Sequence, residues 1–423
     1  MEESGNERAE KVPRTATTVQ PTLVETIIKT QTYNNDSTKK KELDQLVMRM
    51  IVKDLQPLSV VEDDGFKQLV HGLNPRYKLP SRREVTRTLL PSLYQNEVKA
   101  VSQDLEKAKH ISLTTDIWTS RQTQGFITVT AHFISPEWEL KSVVLETARI
   151  VKAHTAENIA EEITNICNKW NILEKICSIV TDNASNMTSA ITTYMKRRHV
   201  PCFAHTLNLV VSDSINNVNE VLHVKNKIKQ IVTFFHHSVK ASDKLSQLQE
   251  QHNIPIKKLI QDVDTRWNST FYMMERYIEL SELITTTLCL LGKSSMCLTN
   301  EELELIRKIV AVLGTFEEAT REMSAEKFTS LSKILPMVRS IQDWMHFSED
   351  EETQDLFKTF PLGKELFKQM GRRFPAMEGV FIVAAATLLD PRFKKVPFAN
   401  TNNVKTVEER LLFCLPNIVY IIM

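Results

Sequence analysis

The stretch SIVTDNASNM, residues 178–187, sets an apolar run against a sudden cluster of polar groups. Ile176, Ile179 and Val180 read as a buried strand, and Asp182 stands at its far end beside Asn183, Ser185 and Asn186. A carboxylate placed there serves either as a helix cap or as a ligand for a cation. These residues alone leave both readings open.

The surrounding sequence keeps a period of two from about 110 to 215. HISLTTDIWTS (110–120) alternates Ile111, Leu113, Thr115 and Ile117 against Ser112, Thr114, Asp116 and Trp118, so Asp116 and Trp118 share a face. GFITVTAHFIS (125–135) and LKSVVLETARI (140–150) follow after short turns, which predicts an antiparallel meander. Thr155 caps a helix with Ile159, Ile163, Ile166 and Trp170 on its apolar face, and ICSIVTD (176–182) is the next strand. A meander feeding a βαβ crossover gives a mixed α/β sheet with helices on its faces.

If the first and fourth strands are neighbours, Asp116 and Asp182 approach each other from distant parts of the chain. Two converging carboxylates make a hard-oxygen site for Mg²⁺ or Mn²⁺, the arrangement that two-metal phosphoryl transfer uses. Against this, Asp182 also fits as a cap for a helix beginning near Asn183, and Asp116 as an edge-strand surface residue.

Composition bounds the rest. The 423 residues leave room for two or three domains. Nine glycines fall far below the usual share of about 7%, which argues against an all-β fold and against phosphate-cradling loops. With 53 Lys and Arg against 52 Asp and Glu, any affinity for nucleic acid must come from local features. The six cysteines form no CxxC pair, and no signal peptide or membrane-spanning apolar run is present, so the chain reads as intracellular and reduced.

Five segments follow. Residues 1–40 are expected to be a disordered leader, 41–105 a helical region, 106–215 the sheet core, 216–395 a helical domain, and 396–423 a tail. Leu43, Leu46, Val47, Met50 and Ile51 mark the first helix. Ser59 with Glu62 and Ser81 with Glu84 are capping boxes, the first ahead of an apolar face made by Phe66, Leu69, Val70 and Leu73. Arg82, Arg83 and Arg87 either meet phosphates or form a solvated face. Thr299 with Glu302 caps a later helix through Leu313.

The segments LTTDIWTS, SIVTDNASNM, CFAHTLNLVV, DVDTRWNST and LDPRF, in this order, resemble hAT-superfamily transposases and especially the zinc finger BED domain-containing proteins derived from them. The resemblance runs from about 41 to 395. It implies an RNase H-like core interrupted by a large all-helical insertion, with Asp116 and Asp182 as the first two catalytic carboxylates and Mg or Mn as cofactor if the site is active. It also implies DNA as a partner, contacted near Trp118, Trp267, Arg266, Cys202 and His205, with assembly among family members and a nuclear location. Cys202 and His205 match the family's CxxH element; as a zinc site the pair lacks two further ligands, so no zinc site is expected.

The sequence departs from the family pattern at both ends. The third carboxylate, a Glu in a Ser-Glu-Arg-like motif, is not found; Glu408 and Glu409 stand in different surroundings. No cysteine precedes Cys167, so the paired ligands of a BED finger are missing, and FCLPNIVYIIM reads as an alternative or truncated terminus. The expected function is a transposase-derived nuclear protein that binds DNA without strand cleavage, a possible transcription or chromatin regulator. The alternatives are an active metal-dependent transposase or nuclease and a protein-interaction module without DNA binding. Neither a membrane nor a small-molecule substrate is expected.

Overall fold

The period-two segments form one five-stranded sheet. In the computed structural model, which describes residues 31–324, 331–347 and 351–414, strands β1 (Ile111–Thr119), β2 (Gly125–Ile134), β3 (Leu140–Ile150), β4 (Ile176–Thr181) and β5 (His199–Pro201) stand in the order β3-β2-β1-β4-β5. The three meander strands pair antiparallel, while β1 with β4 and β4 with β5 pair parallel. The order and the mixed directions make this an RNase H-like α/β core. Alternation decides which face is buried: Ile111, Leu113, Ile127, Val129, Ala131, Phe133 and Ile179 are inside, whereas Ser112, Thr114, Asp116 and Trp118 remain on the opposite, wetter face.

The chain divides into two compact units, 1–107 and 108–423. In the first, α1 (Thr38–Lys53) begins three residues before the expected boundary, with Ser37 capping the Lys40 amide. Residues 1–30 of the expected leader lie outside the described residues. Lys40, Asp44 and Tyr77 are buried together: the lysine lies 2.7 Å from both Asp44 oxygens, and the Tyr77 hydroxyl donates to Oδ1 at 2.7 Å.

Two expectations for this unit do not hold. Ser59 and Glu62 fall in a 3₁₀ turn, Leu58–Glu62, without a side-chain cap. The helix after it, α2 (Asp64–Leu73), buries no residue, and Leu69 and Leu73 are exposed, so its apolar stripe has little to cover it within the unit. Ser81 does accept from the Glu84 amide, and the chain then passes through a π turn, Val85–Leu89, into α3 (Leu90–Lys107). Pro91 supplies the cause: it lacks an N–H and in a regular α-helix would crowd the Arg87 carbonyl.

In the second unit, α4 (Ala156–Lys169) connects β3 to β4 and buries Ile159, Ile163 and Ile166. After β4 comes the short α5 (Ser185–Ser189). Helices take over at α6 (Phe203–Asn217), directly after β5, rather than near 216. They continue through α7 (Asn219–His237), α8 (Val239–Gln251), α9 (Trp267–Glu279), α10 (Ser281–Leu290) and α11 (Asn300–Met323) and on to Cys414. Most of their buried faces share one hydrophobic core, which includes Phe235, Trp267, Tyr277 and Phe316, while Ala384, Ala385 and Val407 form a separate small cluster. The Thr299–Glu302 capping box forms in both directions. Residues 415–423 of the tail lie outside the described residues, and among those described no helix is long and apolar enough to cross a membrane.

Candidate metal and nucleic-acid site

The parallel ladder of β1 and β4 runs as far as Thr114 and Val180; Asp116 lies two residues further along β1, and Asp182 follows directly after β4, which ends at Thr181. Asp116 is exposed and Asp182 half-buried. Asp116 Oδ1 accepts from the Ile117 amide at 2.9 Å, and Asp182 Oδ1 from the Ala184 amide at 3.1 Å. Each Oδ2 is left without a protein donor among the described residues. Asp182 therefore turns the chain out of β4 with one oxygen and presents the other.

The end of β4 is braced from α6. The Cys202 amide donates to the Thr181 carbonyl at 2.8 Å, and Asn183 Nδ2 donates to Thr206 Oγ1 at 2.8 Å. Thr206 Oγ1 in turn donates to the Cys202 carbonyl at 2.8 Å. Behind Asp182, Asn186 Nδ2 donates to the His154 carbonyl at 3.0 Å. Cys202 thus touches the site through its backbone, and its side chain and that of His205 in the first turn of α6 are both half-buried. Among the described residues no three His, Cys, Asp or Glu side chains gather as a metal group.

Polar side chains continue across the Asp116 face. His132 bridges Thr114 Oγ1 at 2.9 Å and Ser142 Oγ at 2.8 Å, Thr128 meets Thr147 at 2.7 Å, and Ser112 meets Ser178 at 3.1 Å. Burial lowers the His132 pKa below its ordinary value. It also lowers that of His199, which bonds Thr181 Oγ1 at 2.9 Å, although the neighbouring Asp182 pulls the other way.

The two tryptophans part company. Trp118, two residues beyond Asp116, is 40% exposed and stacks on Phe126 with ring centroids 5.8 Å apart and planes 19° apart. Trp267 is 2% exposed, set edge-on to Phe271 in the helical core. Its ring offers no face to a base, so the expectation of DNA contact at Trp267 gives way to a packing role. Its amide donates to Asn208 Oδ1 of α6 at 3.0 Å, which joins the CFAHTLNLVV and DVDTRWNST segments.

Arg266 is exposed on the loop that enters α9. That loop is anchored by the buried Asp262, which accepts from Thr270 at 2.7 Å and Ser269 at 3.2 Å and lies 3.4 Å from Lys229 and 3.6 Å from Lys225. Burial pushes the Asp262 carboxyl up, but the Thr270 bond and the two lysines outweigh it and hold it below the ordinary carboxylate range. Sequence reasoning missed Asp262, Asn208, Thr206 and His132 as supporting residues. The first three lie within the quoted motifs, so their signal was membership in those runs rather than any spacing of their own. Glu408, at the far end of the chain, pairs with Lys395 at 2.7 Å.

An RNase H-like sheet running into a helical domain defines the class of protein. Comparison with protein families agrees: residues 114–202 match the ZBED1 RNase-like domain and residues 200–312 the ZBED1 RNase-like helical domain. Their junction falls where β5 gives way to α6. The chain is 31% identical over 372 residues to human zinc finger BED domain-containing protein 4, covering 84% of this chain and 31% of that protein. It is 30% identical over 383 residues to mouse zinc finger BED domain-containing protein 6, covering 86% and 38%. With a maize protein named "Putative AC9 transposase" it shares 25% identity over 386 residues, covering 82% and 45%. The chain belongs to the zinc finger BED domain-containing, hAT transposase-derived family. It spans about a third of the length of the first two relatives.

Proposed function

We propose that this transposase-derived chain acts in the nucleus as a DNA-binding protein without strand-cleavage activity, in a role in transcription or chromatin regulation. What supports this reading is the placement of Asp116 on β1 and of Asp182 directly after the neighbouring strand β4, while among the described residues no three His, Cys, Asp or Glu side chains gather as a metal group. Their free oxygens suit a hard divalent cation completed by water, so Asp116 and Asp182 are the residues that would hold Mg²⁺ or Mn²⁺. Such a cation, when bound, supplies charge that attracts a phosphate oxygen. In-line cleavage uses a second ion to stabilise the leaving oxygen, and among the described residues no further carboxylate joins these two in a metal group.

Trp118 supports DNA as the partner, because its exposed ring beside the carboxylates is available to stack on an unpaired base, a contact worth about 1–3 kcal/mol. Arg266 supplies an exposed guanidinium for a phosphate, while the Cys202 amide holds the strand end and His205 stands half-buried in the first turn of α6. Association with itself or with relatives through the helical domain belongs to the same reading.

The test is plasmid nicking in Mn²⁺ by the purified chain beside Asp116→Asn and Asp182→Asn, together with DNA affinity as a function of salt. The expected result is no nicking, with log K falling linearly against log salt as phosphate contacts release counterions. Nicking abolished by both substitutions would establish an active nuclease instead. No salt-dependent affinity would leave a protein-interaction module.

A further inference from the structure

Cys289 and Cys297 lie in the helical domain, away from the carboxylates, and both are free thiols. They are eight residues apart in no recognised motif, and the backbone between them folds back. At the end of α10 the Gly292 amide donates to the Cys289 carbonyl at 3.0 Å and the Lys293 amide to the Leu288 carbonyl at 2.8 Å. Gly292 takes φ 67°, the left-handed conformation that lets a helix stop and reverse. A 3₁₀ turn, Ser294–Met296, then returns the chain, and the Cys297 thiol reaches the Thr285 carbonyl at 4.0 Å.

Thr285 stands one helical turn before Cys289. A helical side chain lies over the turn that precedes it, so the Cys289 thiol is directed to the region that Cys297 enters. Burial first and the neighbouring Cys289 thiol second raise the Cys297 pKa. Cys289 is exposed and Cys297 half-buried, so a small oxidant meets Cys289 first. Two other cysteines stand differently: Cys167 is buried, with burial pushing its thiol up to about 12, and Cys177 is turned to the Lys175 carbonyl at 3.7 Å.

We propose that Cys289 and Cys297 are a peroxide-sensitive dithiol that closes to a reversible intramolecular disulfide between the end of α10 and the segment entering α11. The Cys289 thiolate attacks hydrogen peroxide, breaking the O–O bond to give the sulfenic acid and, after protonation, water. The Cys297 sulfur then attacks the sulfenic sulfur, the S–O bond breaks, and a second water leaves. Overall two thiols and one peroxide give one disulfide and two waters; a thiol reductant reverses the change. In a reducing compartment such a bond is transient, a sensor rather than a permanent staple.

The full chain supplies its own test, because Lys293 lies between the two cysteines and trypsin cuts there. The reduced protein is exposed to graded hydrogen peroxide, its remaining thiols are alkylated, and it is digested without reductant. The expected result is that peptides 277–293 and 294–307 become linked, with parallel loss of alkylation at both cysteines, and separate again with dithiothreitol. In Cys297→Ser, Cys289 should proceed to the sulfinic acid at doses that leave the wild-type pair reducible. Full alkylation of both residues at doses that oxidise other exposed thiols would overturn the proposal. So would irreversible sulfinic acid at Cys289 in the wild-type chain, or linkage of Cys289 to any other cysteine.

Discussion

The tip of β1 and the first turn of α9 each carry a tryptophan close to an aspartate and a polar run, yet the two places are built on opposite terms. At β1 the sheet supplies the order: Asp116 and Trp118 project from a rigid ladder and stay in solvent, with each free carboxylate oxygen unclaimed by protein. At α9 the polar groups are turned inward. Asp262 is buried on two lysines and two hydroxyls, and Trp267 fills the core beside Phe271. The first place keeps its chemistry available and contributes little to stability; the second consumes its chemistry in holding a loop. Asn208 and Thr206, two residues apart on α6, connect them, since one bonds Trp267 and the other Asn183 beside Asp182.

The largest expected difference lies between the tryptophans themselves. Trp267→Ala should cost about 3–5 kcal/mol in urea unfolding, the usual range for emptying a large aromatic site in a core. Trp118→Ala should stay within about 1 kcal/mol, because its ring is already partly in water, while weakening DNA binding. Equal stability losses would erase the contrast.

Asp262 gives the next effect. Asp262→Ala removes charge-assisted bonds from Thr270 and Ser269 and the ion pairs with Lys225 and Lys229, and should destabilise the chain by about 2–3 kcal/mol. Its depressed pKa also sets a sign. The contribution is fully present above the ordinary carboxylate pKa of 3.8 and is lost as pH falls through the lower folded value, so acid titration of the variant should show a shallower loss there. An identical acid limb in both proteins would show that the loop does not depend on this carboxylate.

The sheet was legible in the sequence because alternation of Ile111, Leu113, Thr115 and Ile117 against polar neighbours leaves one register for a half-buried strand. The adjacency of β1 and β4 was the condition on which an approach of Asp116 and Asp182 rested, and the sheet order meets that condition. What was not legible depended on partners far along the chain. An Arg-Trp pair entering a helix looks the same whether the ring is in a groove or a core, and only the contacts of α6 and α9 decide it. Nothing singled out Asp262, because Lys225 and Lys229, which lie beside it, stand on another helix. In the N-terminal unit, α2 carried a convincing apolar stripe, but an amphipathic pattern states only that a face can be buried.

A smaller effect tests the connection between the regions. Asn183→Ala removes one bond to Thr206 and should cost about 1 kcal/mol. Its sharper consequence lies in metal binding: the chain leaving β4 loses its brace, so the rise in Tm produced by Mn²⁺ should shrink. Asp182→Asn should abolish that rise while leaving the metal-free Tm nearly unchanged, since a bound cation stabilises the folded state only through its affinity for it. A Tm rise retained in Asp182→Asn would place the cation elsewhere.

The smallest effect concerns His132, which stands in the polar row on the Asp116 face. Burial opposes its protonation, so its folded pKa lies below the ordinary 6.5. The unfolded chain therefore binds more protons as pH drops, and stability must fall with it: the contribution is intact above about 6.5 and disappears as pH passes through the folded value. His132→Gln should flatten the stability profile below pH 6.5, with a change in slope of at most about 1.4 kcal/mol per pH unit, the value for one proton. The profile should not become level, because burial lowers His199 in the same direction. Since His132 bonds Thr114 and Ser142 rather than either aspartate, its contribution should be the same with and without Mn²⁺. A His132 contribution that changed with Mn²⁺ would show that the polar row and the carboxylate pair respond as one site.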